Sequence, residues 1–140
     1  MANTEISQFQ FKGFQILNSH IENIESEKIS GSLTLDFSPR GERHVSNNEF
    51  KLYLGVKIKD ENDVFKVSIE AVGIYSFGPE QEEKTLSNFF YVNAPAILFP
   101  YIRAYISTLT TLSGINTVIL PTINLTSLCD NLKDNTKEIE

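Results

Sequence analysis

The chain has one cysteine, Cys129, so no intrachain disulfide can staple it. It has no tryptophan and two histidines, His20 and His44, far apart in sequence. Neither histidine belongs to a metal-ligand motif, so both are expected at the surface and no metal or cofactor is implied. Positive charge is in the minority: 12 Lys and Arg stand against 18 Asp and Glu, a net charge of -6. That balance disfavours nucleic acid, whose recognition needs a basic patch. No stretch approaches 18 consecutive apolar residues, so no membrane insertion is expected. No amino-terminal run joins basic residues to a signal-type apolar core, and the expected compartment is the cytoplasm.

Catalytic groupings are missing too. Cys129 has no base partner at a telling distance in sequence and is expected to be structural. Gly41-Glu42-Arg43 and Gly78-Pro79-Glu80 resemble no phosphate-cradling loop. Glu82-Glu83 and Asp60-Glu61 suit solvated turns better than acid-base pairs. The sequence does not point to an enzyme.

What is present is pattern. A length of 140 residues supports a single domain, with the ends at 1–8 and 134–140 expected to fray. Ten Phe and five Tyr could fill its core or line a surface for apolar partners. Residues 9–17 predict a strand whose apolar phase shifts from Phe9 and Phe11 to Phe14 and Ile16, implying a β-bulge at Gly13. Residues 29–37 alternate through Leu33, Leu35 and Phe37. Residues 50–58 place Phe50, Leu52, Leu54, Val56 and Ile58 on one face, the mark of a half-buried antiparallel strand. The polar turn at 60–63 predicts a hairpin to a fourth strand over 64–77. Residues 38–48, with Pro39, Gly41 and two Asn, predict an irregular crossover and hence Greek-key order.

Helical signals follow the strands. Residues 85–92 lack a clear period and predict an apolar linker. Asn93 and Pro95 then suit a helix start, and Gly114 its end. Pro100 lies too deep for that first turn, so either the opening is loose or regular helix begins near Phe99. Leu98, Tyr101, Ile102, Tyr105, Ile106, Leu109 and Leu112 span roughly 160°, against the ~100° expected for covering one core. Either this helix touches its own sheet and a second surface, or it is deeply buried in a monomer. A short helix is predicted from Thr126 to about Lys133. Strands first and helices last give α+β: a four-stranded antiparallel Greek-key-like sheet, then one long and one short helix on one face.

The run Pro95, Ile97, Leu98, Phe99, Pro100, Tyr101 and Arg103 resembles the helix-opening signature of SecB, the tetrameric bacterial export chaperone, and of SecB-like proteins. Gly73-Ile74-Tyr75-Ser76 and Ile123-Asn124-Leu125 resemble two further family segments, in family order and at similar spacing. The resemblance implies an oligomeric holdase for unfolded polypeptides, built as a homo-tetramer, a dimer of dimers. Tyr101, Ile102, Tyr105, Ile106 and Leu109 would lie at the oligomer interface. Leu86, Phe89, Phe90, Tyr91, Val118, Leu120 and Leu128 would line a client groove, unless they pack the core. Docking on the translocase motor SecA is implied less clearly. Ser68, His20 and Ile24 stand where the export chaperone is acidic, with Glu22, Glu25 and Glu70 nearby. The alternative is a protein of the same fold dedicated to one partner, such as an antitoxin.

Overall fold

The computed structural model describes residues 8–25, 27–29, 31–79 and 81–140. Fraying expected at the amino terminus falls largely on residues 1–7, outside the described residues. Four long strands come first: β1 (Phe9–Asn23), β2 (Thr34–His44), β3 (Glu49–Lys59) and β4 (Phe65–Phe77). They pair antiparallel in the order β1-β4-β3-β2, with a short fifth strand, β5 (Thr136–Ile139), beyond β2. The architecture is α+β and Greek-key-like, as the pattern predicts.

Alternation sets the inner face. Phe50, Leu52, Leu54, Val56 and Ile58 on β3 are at most 1% exposed. Their neighbours Phe65, Val67, Ile69, Ala71 and Tyr75 on β4 are as deeply buried. Burying such side chains contributes about 1.5–3 kcal/mol each. The bulge at Gly13 is present, with a register shift there and φ of 142°. A second shift sets Leu17 outside the pairing. The two shifts keep Phe9, Phe11, Phe14, Ile16 and Ile21 on the inner face.

The crossover is not where the sequence suggests. Residues 38–44 continue β2, and a tight turn with Asn48 at φ 51° leads into β3. The long connection is 24–33, which carries the chain from β1 across to β2. Pro39 misleads because its missing amide has no strand to serve. The Gly41 amide donates to the Asn135 carbonyl (3.2 Å) and the Val45 amide to the Ile139 carbonyl (2.9 Å). Odd residues of β2 therefore turn their amides outward, and Pro39 shares that parity, buried near Asp134 and Asn135 rather than paired in a ladder on that side.

The predicted linker is helical. α1 (Glu83–Asn88), a π turn (Phe89–Asn93) and α2 (Ala94–Leu112) form one unbroken run over 83–112. Asn93 is helical and makes no cap. The π turn widens the backbone ladder just before Pro95, where a proline ring would otherwise crowd the carbonyl four residues back. Pro100 is accommodated inside α2. The helix stops at Gly114, φ 82°. Residues 115–124 return along it to a 3-10 turn (Leu125–Leu128) and α3 (Cys129–Asp134). The tail expected to fray instead forms β5, parallel to β2. No helix among the described residues is long and apolar enough to cross a membrane.

Arg43 of β2 reaches four other elements. Its guanidinium donates to both carboxylate oxygens of Glu83 (3.0 and 3.1 Å), in the first turn of α1. It lies beside the rings of Phe77 and Phe90 and 3.9 Å from Glu138 of β5. Its hydrogen bonds with Glu83 raise its pKa further and hold that carboxyl low.

Candidate functional site

Hydroxyl groups on α2 fix the return segment. Ser107 donates to the Val118 carbonyl (2.8 Å), and the Val118 amide donates to Thr110 Oγ1 (2.9 Å). Held in this extended form, the segment alternates. Val118 and Leu120 point into the core, while Ile119 is 77% exposed.

Two clefts flank it. One, about 690 Å³, lies between the β1–β2 connection and the end of α2, lined by Ile29, Leu33, Ile115, Val118 and Ile119 among others. The other, about 350 Å³, lies between α2 and the end of the return segment, lined by Val92, Phe99, Arg103, Ile123 and Leu125 among others. β2 connects them. Leu33 precedes it in the first cleft, and Phe37 meets Phe99 of the second edge-on at 5.8 Å. Leu33, Leu35 and Phe37 are all half-buried. Arg103 is the only charged residue between Lys84 and Asp130, so the helix and return segment bring almost no charge to this side. Such a surface can take apolar side chains. Among the described residues no three His, Cys, Asp or Glu gather as a metal site.

The predicted groove residues lie deeper. Leu86, Phe90, Leu120 and Leu128 are buried core, because a helical 83–112 carries Leu86 and Phe90 to one inward face. Phe90 stacks on Phe50 at 4.3 Å. Phe89 is half-buried against Phe9 (5.0 Å), and the half-buried Tyr91 reaches Thr136 of β5. Burial raises the Tyr91 pKa. Val118 alone of the seven borders either cleft. Ile29, Leu33 and Ile115 were missing from the expected groove. Their signal is faint: apolar residues scattered in connections rich in Ser, Glu and Gly.

The predicted interface residues divide in two. Ile102 and Ile106 are fully buried on the protein's own sheet. Tyr101 is 45% exposed and packs over Phe11 and Phe14 of β1 (5.2 and 5.1 Å). Tyr105 shares a hydroxyl hydrogen bond with Ser19 (2.9 Å). With half-buried Leu109 and Leu112, 81% exposed, they leave an apolar shoulder on the helix.

The outer face of the sheet is charged. Lys59 sits directly opposite Lys66, and Lys57 opposite Ser68, all three lysines exposed. His20 contacts Glu22 at 2.9 Å, and that hydrogen bond is the main cause holding the Glu22 carboxyl low. Further along, Glu42 gathers His44 (3.1 Å) and Arg40 (3.4 Å).

The sequence profile described as "Preprotein translocase subunit SecB" matches residues 6–135. An uncharacterised protein of Methanocaldococcus jannaschii is 32% identical over 129 residues, 85% of this chain and 82% of that protein. Among solved structures, a Mycobacterium tuberculosis SecB-like chaperone in complex with a ChAD peptide from the HigA1 antitoxin aligns with TM-score 0.69 at 17% identity. That alignment covers 83% of this chain and 88% of that one. A Streptococcus agalactiae protein of unknown function aligns with TM-score 0.51 at 11% identity, over 81% and 97% of the two chains. With the sheet order, the long helix and the profile match agreeing, this chain belongs to the SecB family.

Proposed function

We propose that this protein is a holdase that keeps unfolded polypeptides from aggregating, working in the cytoplasm as a tetramer. The observation that carries the reading is the pair of clefts on either side of the return segment, bridged by Leu35 and Phe37. The smaller is mostly apolar, and the larger sets Ile29, Leu33, Ile115 and Ile119 beside polar Glu27, Lys28, Asn116 and Thr117. An extended chain laid along them buries apolar side chains whatever its sequence, at roughly 25 cal/mol per Å². The groove is thus assigned to Ile29, Leu33, Phe37, Ile115, Ile119 and Ile123, with the buried Phe99 behind Phe37. It replaces the buried residues of the sequence expectation. The apolar shoulder of α2 supports assembly, since an exposed patch of this kind marks an interaction site.

The test is aggregation suppression with several unrelated unfolded proteins. The parent should protect all of them, and Ile119→Ser combined with Leu33→Ser should protect none while keeping the parent's circular dichroism. Equal protection by the double variant removes the clefts from the account. One observation favours a narrower reading: the mycobacterial neighbour was solved holding an antitoxin peptide. Protection of one partner only, with none for general clients, would support a dedicated chaperone.

A further inference from the structure

We propose that the outer edge of β2 is a docking strand for extended polypeptide, and that the tail of the same chain occupies its far half as an intramolecular competitor. The inference rests on the holdase reading. Its starting point is β5. Gly41, Glu42, Arg43 and His44 pair with Thr136, Lys137, Glu138 and Ile139 in parallel, whereas every other ladder in the sheet is antiparallel. The edge therefore accepts an extended segment by backbone hydrogen bonds, the mode in which peptides add to open sheets.

The near half of the edge is open. Leu35 and Phe37 share the parity of Gly41, so their amides and carbonyls face outward, and among the described residues no strand pairs with them on that side. Their side chains lie on the inner face, half-buried, with Phe37 against Phe99 of the smaller cleft. A strand added here would send alternate side chains toward that cleft. Backbone pairing supplies affinity without sequence preference, and the cleft supplies selection for apolar residues.

The tail is held lightly. Lys137 and Glu138 are exposed, and Thr136 and Ile139 only half-buried. The Arg43–Glu138 pair is 3.9 Å apart with Glu138 70% exposed, a geometry that contributes little. Ile139 is its one large apolar side chain, where a client could bring several. A client extending from Leu35 past Pro39 meets the tail at Gly41 and displaces it.

The experiment locks the tail. Glu42→Cys and Lys137→Cys, on the directly paired positions, are combined with Cys129→Ser in the full chain. Affinity for a fluorescently labelled, permanently unfolded protein is measured by anisotropy, oxidised and then reduced, with the crosslink verified by mass. Oxidation should weaken binding at least fivefold, and reduction should restore it. Lys137→Pro, which removes an amide from β5, should bind more tightly than the parent. Equal affinity of the oxidised and reduced forms, with the parent binding normally, overturns the competition and leaves the holdase reading intact. A parent that binds no unfolded protein overturns both.

Discussion

Phe90 and Ile119 separate two uses of an apolar side chain. Phe90 is 1% exposed and sits among the rings of Phe50, Phe9 and Phe77. Phe90→Ala leaves a cavity in the core and should cost about 3–5 kcal/mol by chemical denaturation. Ile119→Ser at an exposed position should change stability within about 0.5 kcal/mol. Its effect should appear in client affinity alone. Glu42 gives a pH signature. Partial burial would raise its carboxyl, but the hydrogen bond from His44 and the charge of Arg40 outweigh it, and its pKa lies below the ordinary 4.5. A depressed folded-state value means stabilisation present above about pH 4.5 and lost as pH falls through the folded value. Glu42→Gln should be less stable than the parent at pH 7, and the gap should narrow on acidification below pH 4.5. A gap constant with pH would mean the ionised carboxylate contributes nothing.

At the scale of elements, the sheet was legible where burial is one-sided. β3 alternates without fault, and the apolar phase shift at Gly13 exposed a bulge. The matching return of phase from Ile16 to Ser19 and Ile21, which marks the shift at Leu17, is blurred by exposed Ser19. β2 was cut short because Pro39 and Gly41 carry loop signals. Only the sheet order shows that Pro39 turns its ring nitrogen to the side of β2 where no described strand pairs with it. The helical run over 83–112 was read in half for a related reason. The π turn inserts an extra residue into the helical period, so Phe89, Phe90 and Tyr91 fit no regular face, and Pro95 resembles a start. Tyr75 secures this junction, its hydroxyl donating to the Ala94 carbonyl at 2.7 Å, with burial raising its pKa. Tyr75→Phe should cost about 1–3 kcal/mol, the usual result of leaving a buried polar group without its partner. Hydrogen exchange should show the loss concentrated at the start of α2 and the adjoining π turn, since the hydroxyl ties the first residue of α2 to β4. The larger cleft was the least legible feature, because it joins residues 27–29 and Leu33 to 114–119 through tertiary packing alone. The four residues of β5 carry no alternation to announce a strand.

For the whole molecule the broad apolar arc of α2 resolves into two parts. The half centred on Ile102 and Ile106 covers the sheet, while Tyr101, Tyr105 and Leu112, the tyrosines resting on β1, keep exposed apolar area. On the proposed tetramer, Leu112→Glu should break the assembly at micromolar concentration while native mass spectrometry finds folded smaller species. Ile106→Glu should unfold the chain, since an unpaired charge at a fully buried position costs several kcal/mol. The opposite side of the sheet decides which pathway such an assembly could serve. Lys57, Lys59 and Lys66 stand together on the outer face, and Lys59 and Lys66 oppose one another directly. The partner implied by the family resemblance, SecA, brings a basic tail, and like charges repel. Glu22 pairs directly with Lys66 and Asp36 with Lys57, Glu70 lies two residues beyond Ser68 on β4, and Glu22 is already engaged by His20. The parent should thus show no saturable binding to that tail. Reversing Lys57, Lys59 and Lys66 to Glu should create binding that weakens with added salt, because exposed charges are screened over ~8–10 Å at physiological ionic strength. Tight binding by the parent would show that Glu22 and Glu70 suffice as an acidic dock, and would place this protein in export.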